Sequence, residues 1–285
     1  MPRPKSDLNR KIGEIVQHTS PLPAEADCPI LHFEQSAFAS IDLLRYIDNY
    51  LSMAGVSKSA FDDHMSHLRR MALASLIESF ERFLKELASI CIDALVRHVG
   101  DDRFEEFSAK GGQLAFHLSA GSVGKALCES DTWLTNRTIN ERFKRLLKSP
   151  FGDNWENLFP EENQQPQPER ARARTLSILW QIRHTITHNV GLITGSDAAK
   201  FRMLIKGKSS PDRALRISKR DIIYTKKFLF ETSRLVNDRV GKRLEALLDD
   251  LHRDNPALFD ARDMADRVSS QLGFSIIINA STGVP

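Results

Sequence analysis

ARTLSILWQIRHTITHNVG, residues Ala173 to Gly191, is the stretch that decides what kind of chain this is. Stepping ~100° per residue from Leu176 places Leu176, Leu179, Trp180, Ile186 and Val190 on one broad apolar arc. That is the pattern of an amphipathic helix laid on a core. Arg183 falls in the middle of the arc. A guanidinium keeps its proton and is costly to bury alone. Arg183 therefore needs an acidic partner, or a polar seam where two helices or two chains meet. His184 and His188 are four apart and stack at the edge of the arc. Asn189 follows, and Gly191 is a helix stop. His188 thus sits in the last turn, where the helix dipole favours positive charge.

The chain around this helix also reads as helical. Phe38, Ile41, Leu44, Ile47 and Leu51 mark a helix over Ser36 to Met53, stopped by Gly55. A second helix opens at a capping box of Ser59 and Asp62 and runs as far as Val99. Its stripe is Leu73, Leu76, Phe80, Phe83, Leu87, Ile90 and Ala94, with alternating steps of three and four. It is the expected central core helix, and Glu81, at the edge of the stripe, is a candidate partner for Arg183. Short helices are expected at Gln113–Leu118, Asn140–Leu147, Asp197–Ile205 and Asp260–Leu272. Ser218 and Asp221 form another capping box, starting a long helix through Phe228, Leu235, Val240, Leu244, Leu247 and Leu251. Phe274 to Ile278 is one β-like run, which needs a partner strand and is expected to find it across a dimer. Ser6 to His18 reads as a short helix, and Thr19 to Pro29, with three prolines, as an extended connector. Gly121-Ser-Val-Gly-Lys125 fails as a phosphate loop, because no Gly stands five positions before Gly124 and Ala126 replaces the required Ser or Thr. The segment before the motif helix, Asn163 to Pro168, is a polar low-complexity loop.

A chain of 285 residues that is 41% hydrophobic can bury a large core. Three cysteines, Cys28, Cys91 and Cys128, stand far apart. They exclude a disulfide framework and a Cys-rich zinc site and fit a reducing cytoplasm. Met1-Pro-Arg-Pro-Lys5 opens a polar stretch, so no signal peptide is expected. No apolar run reaches the ~18 residues of a membrane span.

Arg183-His184-Thr185-Ile186-Thr187-His188-Asn189 resembles the R-x4-6-H motif of the HEPN family, and within it the branch that includes the RiboL-PSP-HEPN proteins. The likeness is sharp over these seven residues; elsewhere it rests on general helical character. It implies an all-α HEPN-like helical bundle with long antiparallel helices over residues 36–251. An N-terminal arm, 1–35, would precede the bundle and a short C-terminal appendage, 252–285, would follow it. It also implies a homodimer whose motifs face each other, acting as a metal-independent endoribonuclease in a toxin–antitoxin or phage-defence setting, with no cofactor. His188 is then the general acid–base. Arg183 holds the phosphate and stabilises its growing charge. His184 orients or assists, and Asn189 holds a phosphate oxygen or fixes His188. The partners implied are RNA, such as tRNA or mRNA, and an antitoxin or defence partner, with no membrane. The Tyr that some HEPN toxins carry two residues after the His is Val190 here, so regulation by nucleotidyl transfer is not expected. Residues five apart stand about 140° apart around a helix. One copy therefore presents Arg183 and His188 poorly to one phosphate, which is a reason to want two.

Charge supports a nucleic-acid partner only locally. Net charge is +3 overall, but Glu169 to Arg220 holds twelve Lys/Arg against three Asp/Glu, and Asp62 to Glu129 eight against eleven. Arg170, Arg172, Arg174, Lys200, Arg202, Lys206 and Lys208, with Arg213 and Arg216, are the candidate RNA-binding residues. Four other readings stay open. Arg183 and both histidines can simply satisfy polar groups at a helix–helix contact. The basic residues can be a solvated surface balancing the acidic half. His184 and His188 can be a zinc pair, although Thr185 stands where H-E-x-x-H needs Glu and no third ligand is evident. A catalytically silent HEPN-like module that binds RNA or another protein fits the same residues.

Overall fold

The structure, a computed structural model, describes residues 28–107, 121–129, 133–148, 157–159, 167–205 and 213–279. The expected helices Ser6–His18 and Gln113–Leu118, nearly all of the connector Thr19–Pro29, and Lys206 and Lys208 lie outside them. The described residues form an all-α bundle: α1 (Pro29–Met53), α2 (Lys58–Leu95), α3 (Val123–Glu129), α4 (Asn136–Leu146), α5 (Gln167–Asn189), α6 (Gly195–Ile205), α7 (Lys219–Asp254) and α8 (Ala261–Leu272). A 3-10 turn, Asp101–Phe104, follows α2, and two short strands, β1 (Leu192–Ile193) and β2 (Arg213–Ala214), flank α6.

Helix α2 is the axis. Its 38 residues span roughly 57 Å at 1.5 Å each, and α1, α3, α4, α5, α7 and α8 all pack on it. The stripe expected from sequence is buried throughout, from Leu73 to Ala94. Phe80 is the hub of the core. Its ring lies 5.9 Å from Phe33 of α1, 5.8 Å from Phe83 and 6.0 Å from Trp180 of α5. Phe230 of α7 closes the cluster at 5.4 Å from Phe33. These edge and stacked contacts tie four helices into one core, each pair adding about 0.5–1.5 kcal/mol beyond its burial.

Several helix ends differ from the sequence reading. Helix α2 is capped by Ser57, whose Oγ accepts from the Ala60 N–H, and not by a Ser59–Asp62 box. After the turn through Gly55 (φ +65°), Ser57 (φ −56°, ψ 147°) stands directly before the first helical residue. Helix α1 starts seven residues before Ser36. Pro29 pre-organises its first turn and Phe33 is buried, so the boundary expected at residue 35 falls inside a helix. Thr135 caps α4, which starts at Asn136, four residues before Asn140. The Ser218–Asp221 capping box is present in both directions.

The C-terminal part is no loose appendage. Met264, Val268, Leu272, Ile276 and Ile278 belong to the same core as α2. Gly241 on α7 lets the Phe274 ring lie against the helix backbone, where any Cβ would collide with it. Among the described residues of the single chain, the Phe274–Ile278 run pairs with no strand. The N–H groups of Ile276, Ile277 and Asn279 donate to Ser269 Oγ, Glu245 Oε1 and Asp249 Oδ1 at 2.9, 2.8 and 2.8 Å. Side chains of α7 and α8 take the place that a partner strand was expected to fill.

Candidate functional site

Helix α5 lies antiparallel to α2. Trp180 stacks on Phe80, Arg183 reaches Glu78, and Gly191 sits against Arg70, so positions rise on one helix as they fall on the other. Leu176, Leu179 and Trp180 are buried, as the arc requires. Val190 is not. The helix ends at Asn189, and Val190 and Gly191 both take left-handed backbone, φ +52° and +82°. The Gly191 N–H then closes the helix end by donating to Thr185 O at 3.0 Å. The turn swings the Val190 side chain into solvent at 75% exposure. A β-branched residue in this conformation is strained, by about 1–2 kcal/mol. A Cβ at Gly191 would also lie 2.6 Å from Arg70 Cδ, so the Arg70 side chain would have to shift to admit one.

Arg183 has its acidic partner, and it is not Glu81. Its guanidinium meets Glu78 Oε1 at 3.2 Å. Glu81, one turn along α2, is occupied, accepting from the Trp133 N–H at 3.0 Å and pairing with Lys85 at 3.2 Å. The Arg183 side chain is 18% exposed while that of Glu78 is 48% exposed. Arg183 Nε is buried without a hydrogen-bond partner. A pair open to water on the acidic side is weak, of the order of 0–1 kcal/mol. The guanidinium is thus held loosely, with donor capacity to spare. A cleft of about 540 Å³ runs along α2 from Glu78 to Asp93, lined on the way by Lys85, Glu86 and Lys125. None of the motif residues of α5 lines it.

His184 and His188 stand with ring centroids 4.7 Å apart, as their spacing demands. His184 is half-buried and His188 exposed. Among the described residues no group of three His, Cys, Asp or Glu side chains is placed to hold a metal ion.

Asn189 is tied elsewhere. Its Nδ2 donates to Asp197 Oδ2 at 2.8 Å, and Gln181 Nε2 donates to Asp197 Oδ1 at 2.8 Å. The Thr194 N–H donates to Asp197 Oδ2 at 3.1 Å, and the Asp197 N–H returns the bond to Thr194 Oγ1 at 3.2 Å. Asp197 is 1% exposed. Burial pushes its carboxyl up, but the hydrogen bonds from Thr194 and Asn189 and the nearby charge of His184 outweigh that and hold it below the ordinary carboxylate range. Asp197 is the residue that sequence reasoning missed. Thr194-x-x-Asp197 has the spacing of a capping box, which marks the start of α6 but not the reach of the carboxylate back to the motif.

The basic residues divide. Arg174 Nε donates to Leu204 O at 2.5 Å, which ties α5 to the end of α6. Arg170, Arg172 and Arg174 are half-buried, whereas Lys200, Arg202, Arg213 and Arg216 are exposed. Glu169 pairs with Arg239 of α7. The β1–β2 ladder pairs Leu192 with Ala214 and Ile193 with Arg213, and the Leu215 N–H donates to Gly191 O at 2.8 Å. This brings the Arg213–Arg216 segment against the end of the motif helix. Two-residue strands carry too little pattern for sequence to find them. Gly121–Lys125 has a structural role: Asp93 accepts from Ser122 Oγ and the Gly124 N–H, both at 2.7 Å, and Gly124 packs on the Ser89 backbone.

The described residues thus form an all-α bundle in which His184 and His188 lie side by side near the end of α5, Arg183 turns to Glu78 and Asn189 to Asp197. No protein-family model, curated protein or solved structure matches the chain. Among the described residues, no helix is long and apolar enough to cross a membrane.

Proposed function

We propose that the chain is a HEPN-like, metal-independent endoribonuclease that cleaves RNA by 2′-hydroxyl transesterification. The observation that carries this reading is the placement of the motif. His188 is exposed at the end of α5, His184 lies beside it at 4.7 Å, and the Arg183 guanidinium is held only by a solvent-open carboxylate. Exposed Lys200, Arg202, Arg213 and Arg216 lie on the segments that follow, as a guide for a phosphate backbone does.

In the reaction a base takes the 2′-hydroxyl proton, and the oxygen attacks the adjacent phosphorus. The P–O5′ bond breaks and the leaving oxygen gains a proton, giving a 2′,3′-cyclic phosphate and a 5′-hydroxyl. His188 exchanges these protons. Arg183 leaves Glu78 and stabilises the charge that builds on the phosphoryl oxygens. His184 orients or assists. Asn189 commits one amide hydrogen to Asp197, so it fixes the helix end and offers its remaining polar atoms to phosphate. Two copies meeting across the motif helices supply Arg183 of one and His188 of the other to a single phosphate. The setting this reading carries is a toxin or phage-defence effector with an antitoxin or defence partner.

One observation favours a second reading, a catalytically silent module that binds RNA or protein. Both Arg183 and Asn189 already have acidic partners within the fold. Incubation with total RNA in EDTA separates the two. Cleavage leaving 2′,3′-cyclic phosphate ends supports the nuclease. Binding without cleavage supports the module. Cleavage that EDTA stops and zinc or manganese restores makes His184 and His188 a metal pair and refutes the mechanism.

A further inference from the structure

Helix α1 has two apolar faces, and the described residues bury one. Phe33, Ala37 and Leu44 are buried against α2 and α7. Leu43, Tyr46, Tyr50 and Met53 lie about 100–180° away from Leu44 around the helix. They are 59%, 74%, 71% and 87% exposed. Their spacing is three, four, three, and exposed Ala39 extends it by a further four.

Scattered surface apolar residues need no explanation. Four large ones on a single arc do, because their steps of three and four, which average 3.5 with Ala39 included, have the period of a helix–helix seam. We propose that this stripe is an interface with a second copy of the chain, formed by two α1 helices packed antiparallel about a two-fold axis.

Three observations favour a second copy as the occupant. The stripe is self-complementary: in the antiparallel register Leu43 meets the partner's Met53, and Tyr46 meets the partner's Tyr50. Such an isologous contact closes on itself. The rim beside the stripe carries Asp42, Arg45 and Asn49, both signs of charge, so two identical rims meet without net repulsion. The area is also sufficient. With roughly 200 Å² per side chain of this size, the exposed part of the four is about 600 Å² on each copy, and two copies reach the ~1,200 Å² of the smaller specific interfaces. Ile223 and Tyr224 are two further exposed apolar side chains near α1. They are 50% and 66% exposed on the first turns of α7, which the Lys219–Asp48 ion pair holds beside α1. Tyr and Met are also the residues that interface cores favour.

The contact is independent of the motif's chemistry. Where copies also meet across α5, the α1 contact is a second two-fold face. In either case the variant Tyr46→Glu/Tyr50→Glu halves the mass of the full-length protein in light scattering, with helical content by circular dichroism unchanged.

The occupant is read with full-length Tyr50→Cys, since Cys28, Cys91 and Cys128 are buried and do not compete for a thiol reagent. Alkylation of Cys at position 50 that slows as protein concentration rises through the micromolar range is the expected result. Protection at every concentration assigns the face to another part of the same chain and overturns the proposal. Rapid alkylation throughout overturns it too, as does a mass that the double substitution leaves unchanged.

Discussion

Replacing Asp197 tests the structural account of the site most directly. Asp197→Ala removes the acceptor for three donors, Gln181 Nε2, Asn189 Nδ2 and the Thr194 N–H. A buried donor left without an acceptor costs about 1–3 kcal/mol. Gln181 is 9% exposed and cannot turn to water without opening the α5–α6 contact. Asn189 and Thr194 are half-buried and recover part of their loss from solvent. Loss of the Asp197 side of the α6 capping box is included in the Thr194 bond. The sum is about 3–4 kcal/mol, large for a single substitution. In a chain of this size that lowers Tm by roughly 6–12 °C. Asp197→Asn keeps one acceptor oxygen and is expected to lose about half as much. The effect also depends on pH. The folded carboxyl has a lowered pKa, so the folded state holds the deprotonated form more tightly than the unfolded chain does. Its contribution is complete above the unfolded carboxylate value of about 3.9 and is lost as pH falls through the lower folded value. Urea denaturation of wild type and Asp197→Ala, at neutral pH and in acid, measures both effects. A neutral-pH difference below ~1 kcal/mol, or a difference that does not shrink in acid, refutes the assignment of Asp197 as the node of the site.

Three further outcomes follow from the same geometry. Val190→Gly relieves left-handed strain at a side chain that is 75% exposed; after the entropy that glycine adds to the unfolded chain, a net gain of about 0.5–1 kcal/mol is expected in thermal melts, and lower stability contradicts it. His188→Ala, at an exposed position, is expected to leave stability within ~0.5 kcal/mol and to reduce RNA cleavage at least 10²–10⁴-fold; retained cleavage removes His188 from the mechanism. Reversal of Lys200, Arg202, Arg213 and Arg216 to Glu is expected to weaken RNA binding and flatten its salt dependence, as filter binding at several ionic strengths would show, whereas Arg174→Glu is expected to cost stability first because its guanidinium ties α5 to Leu204 O.

The amino-acid sequence alone determined what rests on residues a few positions apart. The stripe from Leu73 to Ala94, the apolar face through Leu176, Leu179 and Trp180, the Ser218–Asp221 cap and the adjacent His184–His188 pair all follow from i, i+3 and i, i+4 geometry, and all are present. Tertiary structure alone decided the rest. Whether Arg183 meets Glu78 or Glu81 depends on the slide and roll of α5 against α2, which the Phe80–Trp180 stack sets across a hundred residues. Val190 leaves its arc because the chain must turn to pair β1 with β2. Asp197 becomes a site residue only when α6 folds back on α5, and the N–H groups of Ile276 and Ile277 find side-chain acceptors because Ser269 of α8 and Glu245 of α7 reach them. In each case the deciding energy lies in contacts between segments whose relative placement no local pattern encodes, because side-chain periodicity sets which face of a helix is apolar and leaves open which neighbour covers it.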